Sequence, residues 1–259
     1  MSLGLLRRRG TMHSLRWTRG ASATPAGPTT SSLRAVSTKI MLSIRILICD
    51  LDGVIRHFDP HAQARVDTTY GLARGTIAGI AFSQAHLLPA VAGLVSDEEW
   101  RSGITGDLAR IIGKSDAREA VAAWSADIGT VDACVLDLLR HVRERCPVIL
   151  FSNATSRLRQ DLSSLGLTSE VDAVVNSAET GAPKPLREAF LATDAAIERL
   201  LGYRPHPHEI LFVDDNAANV DAGARYGWMT RLFLDAADFA QLLRSVGLLD
   251  GRSGPPRSV

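Results

Sequence analysis

Three short apolar runs in this chain each end in a polar residue. Residues 44–49 (IRILIC) run into Asp50, residues 148–151 (VILF) into Ser152, and residues 210–213 (ILFV) into Asp214 and Asp215. Near-continuous apolar runs of this length suit strands buried on both faces, as in a parallel sheet. Helical patterns separate them. Val131, Val135, Leu138, Leu139 and Val142 share one helical face. Thr130 is placed to cap that helix, Arg140, Arg143 and Arg145 suit its C-terminal dipole, and Pro147 stops it. Leu158, Leu162 and Leu165 repeat the spacing behind Thr155, with Gly166 as the stop, and residues 185–201 and 216–226 read as helices, the latter ended by Gly227. Strands alternating with helices predict an α/β fold, a Rossmann-like three-layer core around a parallel sheet with right-handed crossovers. Ligands bind beyond the carboxyl ends of such strands, so the polar endings are expected to converge on one crevice.

Residues 59–130 break the rhythm. Helix-like patches there are punctuated by Gly71, Gly75, Gly79, Pro89, Gly93, Gly103, Gly106 and Gly113, and no strong strand pattern appears. This reads as a small helical insert, with the core formed by residues 41–58 and 131–248 and a flexible C-terminal tail over 249–259. Residues 78–95 carry no Asp, Glu, Lys or Arg, but Ser83, Gln84, His86 and Pro89 make them too polar and broken for a membrane span of about 20 apolar residues. A buried or cleft-lining segment fits better.

Charge separates the N-terminus from the rest. Seven of the 29 basic residues fall in residues 1–40, which hold no acidic residue, leaving 22 basic against 28 acidic residues in the remainder. A mildly acidic body is not a nucleic-acid footprint. Three readings of residues 1–40 stand side by side: a disordered tail, an Arg- and Ser-rich organellar transit peptide, or a segment upstream of a true start at Met41. Cys49, Cys134 and Cys146 form neither a metal-ligand spacing nor a disulfide framework, so a reducing, cytoplasmic setting is expected, with organellar import the alternative if residues 1–40 are translated.

The chemistry follows from residue type. Asp50, Asp52, Asp214 and Asp215 crowd negative charge and would raise one another's pKa unless a cation is bound. All-oxygen ligands with room for water suit Mg2+. A carboxylate beside Mg2+ can attack a phosphoryl group and form an aspartyl phosphate. Ser152 and backbone N–H groups after it can hold phosphate oxygens, and Lys184 adds positive charge. Asp52 can protonate the leaving oxygen and then activate water. Gly53 lets the chain turn sharply away.

Asp50-Leu-Asp-Gly-Val54, Ser152-Asn153, Lys184-Pro185 and Val213-Asp-Asp-Asn-Ala-Ala-Asn219 follow in that order. Together they resemble the four motifs of the haloacid dehalogenase-like (HAD) hydrolases, over about residues 42–235. The insert resembles the helical cap of the group that contains small-molecule phosphatases, β-phosphoglucomutases and 2-haloacid dehalogenases, and Val95-Ser-Asp-Glu-Glu-Trp100 looks like a cap-helix start. The resemblance implies Asp50 as nucleophile and metal ligand, and Asp52 as general acid/base with its carbonyl on the metal. It implies phosphate binding by Ser152, Asn153 and Lys184, and metal binding by Asp214 and Asp215, with Asp215 the more direct ligand. Asn219 would orient that loop. Leu186 departs from the pattern, since many relatives carry Asp there.

The expected function is a Mg2+-dependent phosphatase for a small phosphorylated metabolite, acting as a monomer or homodimer without nucleic acid or membrane. A sugar phosphomutase and a non-catalytic metabolite-binding protein are the alternatives. A 2-haloacid dehalogenase fits less well, because a halide needs no acid and those relatives usually lack the second Asp. Ordinary structural roles are expected for Cys49 as a buried strand residue and for Trp100 and Trp124 as packing of the insert. The same holds for His57, Arg74, His86, Arg101, His206 and His208, while Asn216 and Asn219 are split between capping and site duty.

Overall fold

The computed structural model describes residues 43–250. The readings made for residues 1–40, the start at Met41 and residues 251–259 lie outside them. Leu249, first residue of the expected C-terminal tail, is buried with Leu248 against the core.

In chain order the core begins with β1 (Ile46–Cys49) and β2 (Arg56–His57). Five helices follow: α1 (Pro60–Thr69), α2 (Thr76–Ala81), α3 (Gln84–Val91), α4 (Asp97–Ile112) and α5 (Lys114–Ser125). Then come β3 (Thr130–Val131), α6 (Ala133–Arg143), β4 (Val148–Ser152), α7 (Leu158–Ser164), β5 (Ala173–Asn176), α8 (Ser177–Thr180) and α9 (Arg187–Leu201). The chain closes with β6 (Ile210–Asp214), α10 (Ala217–Tyr226), β7 (Met229–Leu232) and α11 (Ala236–Ser245).

Five strands form one parallel sheet in the order β5-β4-β1-β6-β7. Side chains alternate between its faces. Leu47, Cys49, Val148, Leu150, Leu211 and Val213 pack with α6, α7 and α11 on one side. Ile46, Ile48, Ile149, Phe151, Ile210 and Phe212 pack with Ala189, Phe190 and Ile197 of α9 and Ala222 of α10 on the other. Two apolar faces explain the unbroken apolar runs of β1, β4 and β6. From β1 the chain moves to β4 and β5 on one side, then to β6 and β7 on the other. The strand order therefore reverses at β1, where such sheets open their ligand crevice.

Helices α1–α5 surround a separate apolar cluster built on Ile77, Trp100, Ile104, Leu108, Val121 and Trp124. Ser96 starts α4 with a reciprocal capping box to Glu99. The insert hangs on the antiparallel pair of β2 and β3, with Arg56 opposite Val131 and His57 opposite Thr130. It meets the core through Asp97, whose carboxylate accepts from Thr155 Oγ1 at 2.8 Å and whose N–H donates to Ser156 Oγ at 2.9 Å. No helix among the described residues is long and apolar enough to cross a membrane.

The structure corrects several local expectations. Asp132, not Thr130, caps α6 by accepting from Cys134 and Val135, because Thr130 is engaged in β3. The helix expected from residue 185 starts at Arg187. Strands β5 and β7 carry no apolar run comparable to β1. They are the edges of the sheet and only half-buried, so the buried-strand signal is absent there.

Candidate active site

The register of the sheet builds the site. Cys49 pairs with Val213, so Asp50, one residue on, stands beside Asp214, and Asp50 N–H donates to Val213 O at 2.9 Å. Ser152 ends β4 on the other side. One carboxylate oxygen each from Asp50, Asp214 and Asp215 lie within 4.8 Å of one another. Lys184 joins them, with Nζ 2.9 Å from Asp50 Oδ1 and 2.6 Å from Asp214 Oδ2, and it also donates to Phe151 O at 2.7 Å. This ammonium is buried over the Phe151 ring, 4.8 Å from its centre.

Supporting groups hold each member. The Asn153 amide donates to Lys184 O at 2.8 Å and accepts from Lys184 N–H at 2.7 Å. The Asn153 side chain thus positions the lysine, and its backbone N–H is the group it has to offer an anion. Asp214 is fully buried. Asn219 Nδ2 lies 3.1 Å from each of its oxygens, and Asn216 N–H donates to Oδ1 at 2.8 Å. Asn216 itself caps α10, so the two asparagines divide capping and site duty between them. Among the described residues Asp215 enters no ion pair, while Asp214 is already bound on both oxygens. Among the described residues no protein group hydrogen-bonds the buried Ser152 hydroxyl. Gly53 has φ 85°, and a Cβ there would fall 2.0 Å from Asp215 Oδ2.

The electrostatics show a deficit of positive charge. Burial pushes the Asp50 carboxyl up to about 7, with Lys184 pulling it down and Asp214 adding to the rise. Asp215 is also raised, first by partial burial and then by Asp214. Burial works against the Lys184 ammonium, yet Asp50 and Asp214 hold it above the usual lysine value. Three carboxylates against one ammonium, all oxygen donors, fit a hard divalent cation.

Asp52 takes a different position. Arg56 holds its carboxylate in a bidentate pair, Nε to Oδ1 at 2.6 Å and Nη2 to Oδ2 at 3.0 Å. Arg56 Nη1 reaches Asp161 at 3.2 Å, and Arg157 Nε lies 3.1 Å from the same carboxylate. Sequence reasoning missed Arg56 and Asp161. They are 105 residues apart, and only the fold brings them together.

The remaining candidates have local roles. Cys49 is buried and its thiol is pushed up, chiefly by that burial. His86 Nε2 is 2.8 Å from Asp107, Arg101 pairs with Asp97 at 2.7 Å, and His206 stacks on His208 at 5.2 Å. Trp100 and Trp124 pack inside the insert and also face a cavity between insert and sheet.

A family model described as haloacid dehalogenase-like hydrolase matches residues 44–227. A search of curated proteins finds no match. Among solved structures, a HAD family enzyme from Bacteroides thetaiotaomicron, in complex with magnesium and inorganic phosphate, is similar at 24% identity, with TM-score 0.62, over 78% of this chain and 100% of that one. A predicted HAD-like family hydrolase from Porphyromonas gingivalis is similar at 27% identity, with TM-score 0.58, over 78% of this chain and 98% of that one. The L-2-haloacid dehalogenase from Xanthobacter autotrophicus, with chloropropionic acid covalently bound, is similar at 20% identity, with TM-score 0.54, over 80% of this chain and 85% of that one.

Proposed function

Because the chain belongs to the haloacid dehalogenase-like hydrolase family, we propose that it is a Mg2+-dependent phosphatase acting on a small phosphorylated metabolite. The observation that carries this reading is the convergence of Asp50, Asp214 and Asp215 with Lys184 at the ends of β1 and β6. The magnesium and phosphate held by the Bacteroides relative support the same chemistry. Asp52 favours phosphoryl transfer over dehalogenation, because an alkoxide leaving group needs a proton donor and a halide does not.

Asp50, Asp215 and the Asp52 carbonyl would hold the Mg2+, with Asp214 behind them. When bound, the ion supplies charge neutralisation and polarises the phosphoryl oxygens. Lys184 keeps Asp50 oriented and balances the incoming phosphate. Ser152 Oγ and the Asn153 N–H bind the phosphoryl oxygens. An Asp50 oxygen attacks phosphorus, the ester P–O bond breaks, and Asp52 gives its proton to the departing alkoxide. Asp52 then takes a proton from water, whose oxygen attacks the aspartyl phosphate. The P–O bond to Asp50 breaks, and inorganic phosphate leaves. Arg56 orients Asp52 as the carboxylate that takes the proton from water. The helical insert serves as the cap that shields the reaction from bulk water.

The test is phosphate release from a panel of phosphomonoesters with Mg2+, comparing wild type with Asp50→Asn. Turnover that Asp50→Asn lowers by at least about a thousandfold supports the reading. Absence of release from every ester, in folded wild-type protein, overturns it.

A further inference from the structure

Resting on the phosphatase reading, we propose that the alcohol leaving group carries no negative charge and is ring-sized with a largely apolar body. The cavity between the insert and the sheet encloses about 300 Å³ and shares Asp52 and Asn153 with the strand-end site. A leaving oxygen beside Asp52 therefore carries its alcohol into this space.

The walls set the chemistry. Phe58, Phe82, Trp100 and Trp124 line the cavity together with Leu87 and Val91. The Phe82 and Trp124 rings meet edge to face at 5.8 Å, and Trp100 lies 6.1 Å from Trp124. Such surfaces favour a flat or compact apolar body.

Charge then excludes the competitors. Among the described residues two guanidinium groups line the space, and both are paired with carboxylates. Arg56 is bound to Asp52 and Asp161, and Arg157 pairs with Asp161 and donates to Ser125 O at 2.9 Å. Asp127 adds a further carboxylate, and Asp97, also on the wall, pairs with Arg101 at 2.7 Å. A carboxylate or second phosphate on the substrate would lose water here and find carboxylates rather than a spare cation, which is costly. This argues against carboxylated esters and against the bisphosphate that a sugar phosphomutase must hold. Gln63, Ser125 and Thr155 offer partners for a hydroxyl or two, whereas a polyhydroxylated sugar would also lay hydroxyl groups against the four aromatic rings.

Three esters of primary alcohols separate these classes while keeping the leaving oxygen similar: benzyl phosphate, glucose 6-phosphate and phosphoglycolate. With Mg2+ present, kcat/KM for benzyl phosphate is expected to exceed the other two by at least about tenfold. Phe82 is half-exposed, so Phe82→Ala leaves the buried cluster of the insert in place. That variant is expected to narrow the benzyl-to-phosphoglycolate ratio by roughly fivefold, mainly through KM. If phosphoglycolate or glucose 6-phosphate matches or exceeds benzyl phosphate, or if Phe82→Ala leaves the ratio unmoved, the inference is overturned while the phosphatase reading stands. If none of the three, nor any other monoester, is hydrolysed, the phosphatase reading falls and the inference falls with it.

Discussion

Gly53 is where backbone conformation and metal chemistry meet. Its φ of 85° suits glycine, and its missing side chain is the space that Asp215 Oδ2 occupies, 2.0 Å from where a Cβ would sit. Gly53→Ala therefore carries two costs. The left-handed conformation costs about 1–2 kcal/mol for a residue with a Cβ. The displaced carboxylate is expected to weaken Mg2+ binding about 10- to 100-fold. Calorimetric titration with Mg2+ reads the second effect directly, and an unchanged affinity would refute the link between this glycine and the carboxylate trio. Much of the site was legible at this level. Asp50, Asp214 and Asp215 announce themselves as charges at the ends of buried strands, and Lys184 as a lone lysine in a Gly-Ala-Pro-Lys-Pro loop. Arg56 does not, since an arginine beside a histidine in a loop-like stretch reads as ordinary. Its partner Asp161 sits on a helix whose pattern shows only its leucines.

Helix α9 begins without a side-chain cap. Leu186 occupies the N-cap position at φ −64° and ψ 142°, half-exposed and outside the buried clusters. An aspartate there would accept from the first free N–H groups and favour the positive end of the helix dipole. Leu186→Asp is expected to stabilise the protein by about 1 kcal/mol, raising Tm by roughly 2–4 °C. A thermal melt that stays put or falls would show that the leucine has a packing role. The same elements show why sequence reading stopped where it did. Strands β1, β4 and β6 were visible because both faces are covered, which demands apolar residues throughout. Strands β5 and β7 border the sheet, and Met229-Thr-Arg-Leu232 mixes polar and apolar residues as an edge permits. The β2–β3 pair is two residues long on each side, below the length at which any period can be read.

The insert and the sheet are joined close to the chemistry. Thr155 lies three residues beyond Ser152, and its hydroxyl donates to the buried Asp97 carboxylate at the start of α4. Gly93, with φ 68°, brings the insert against α8, so that a Cβ would lie 2.0 Å from Ala178 O. Thr155→Val removes the hydroxyl at nearly constant shape and leaves Asp97 with Arg101. The loss of a hydrogen bond to a charged group is expected to cost about 1.5–3 kcal/mol. It should also speed proteolytic nicking within residues 60–125 several-fold, and equal nicking rates with equal melting would refute a docking role for this contact. At its other end the insert behaves as a cassette. The chain departs through Arg56–His57 and returns through Thr130–Val131, side by side. Replacement of the intervening helices by those of another family member would leave the sheet's own connections uncut. The graft points are narrow, however. Arg56 holds Asp52, and Gly129 at φ 77° is packed so closely on the Arg56 stem that a Cβ would come within 2.8 Å of its Cγ. Diversification of substrate range by shuffling in this chain is thus confined to junctions after His57 and before Gly129, so that the acid/base machinery travels with the sheet and only the selecting walls are exchanged.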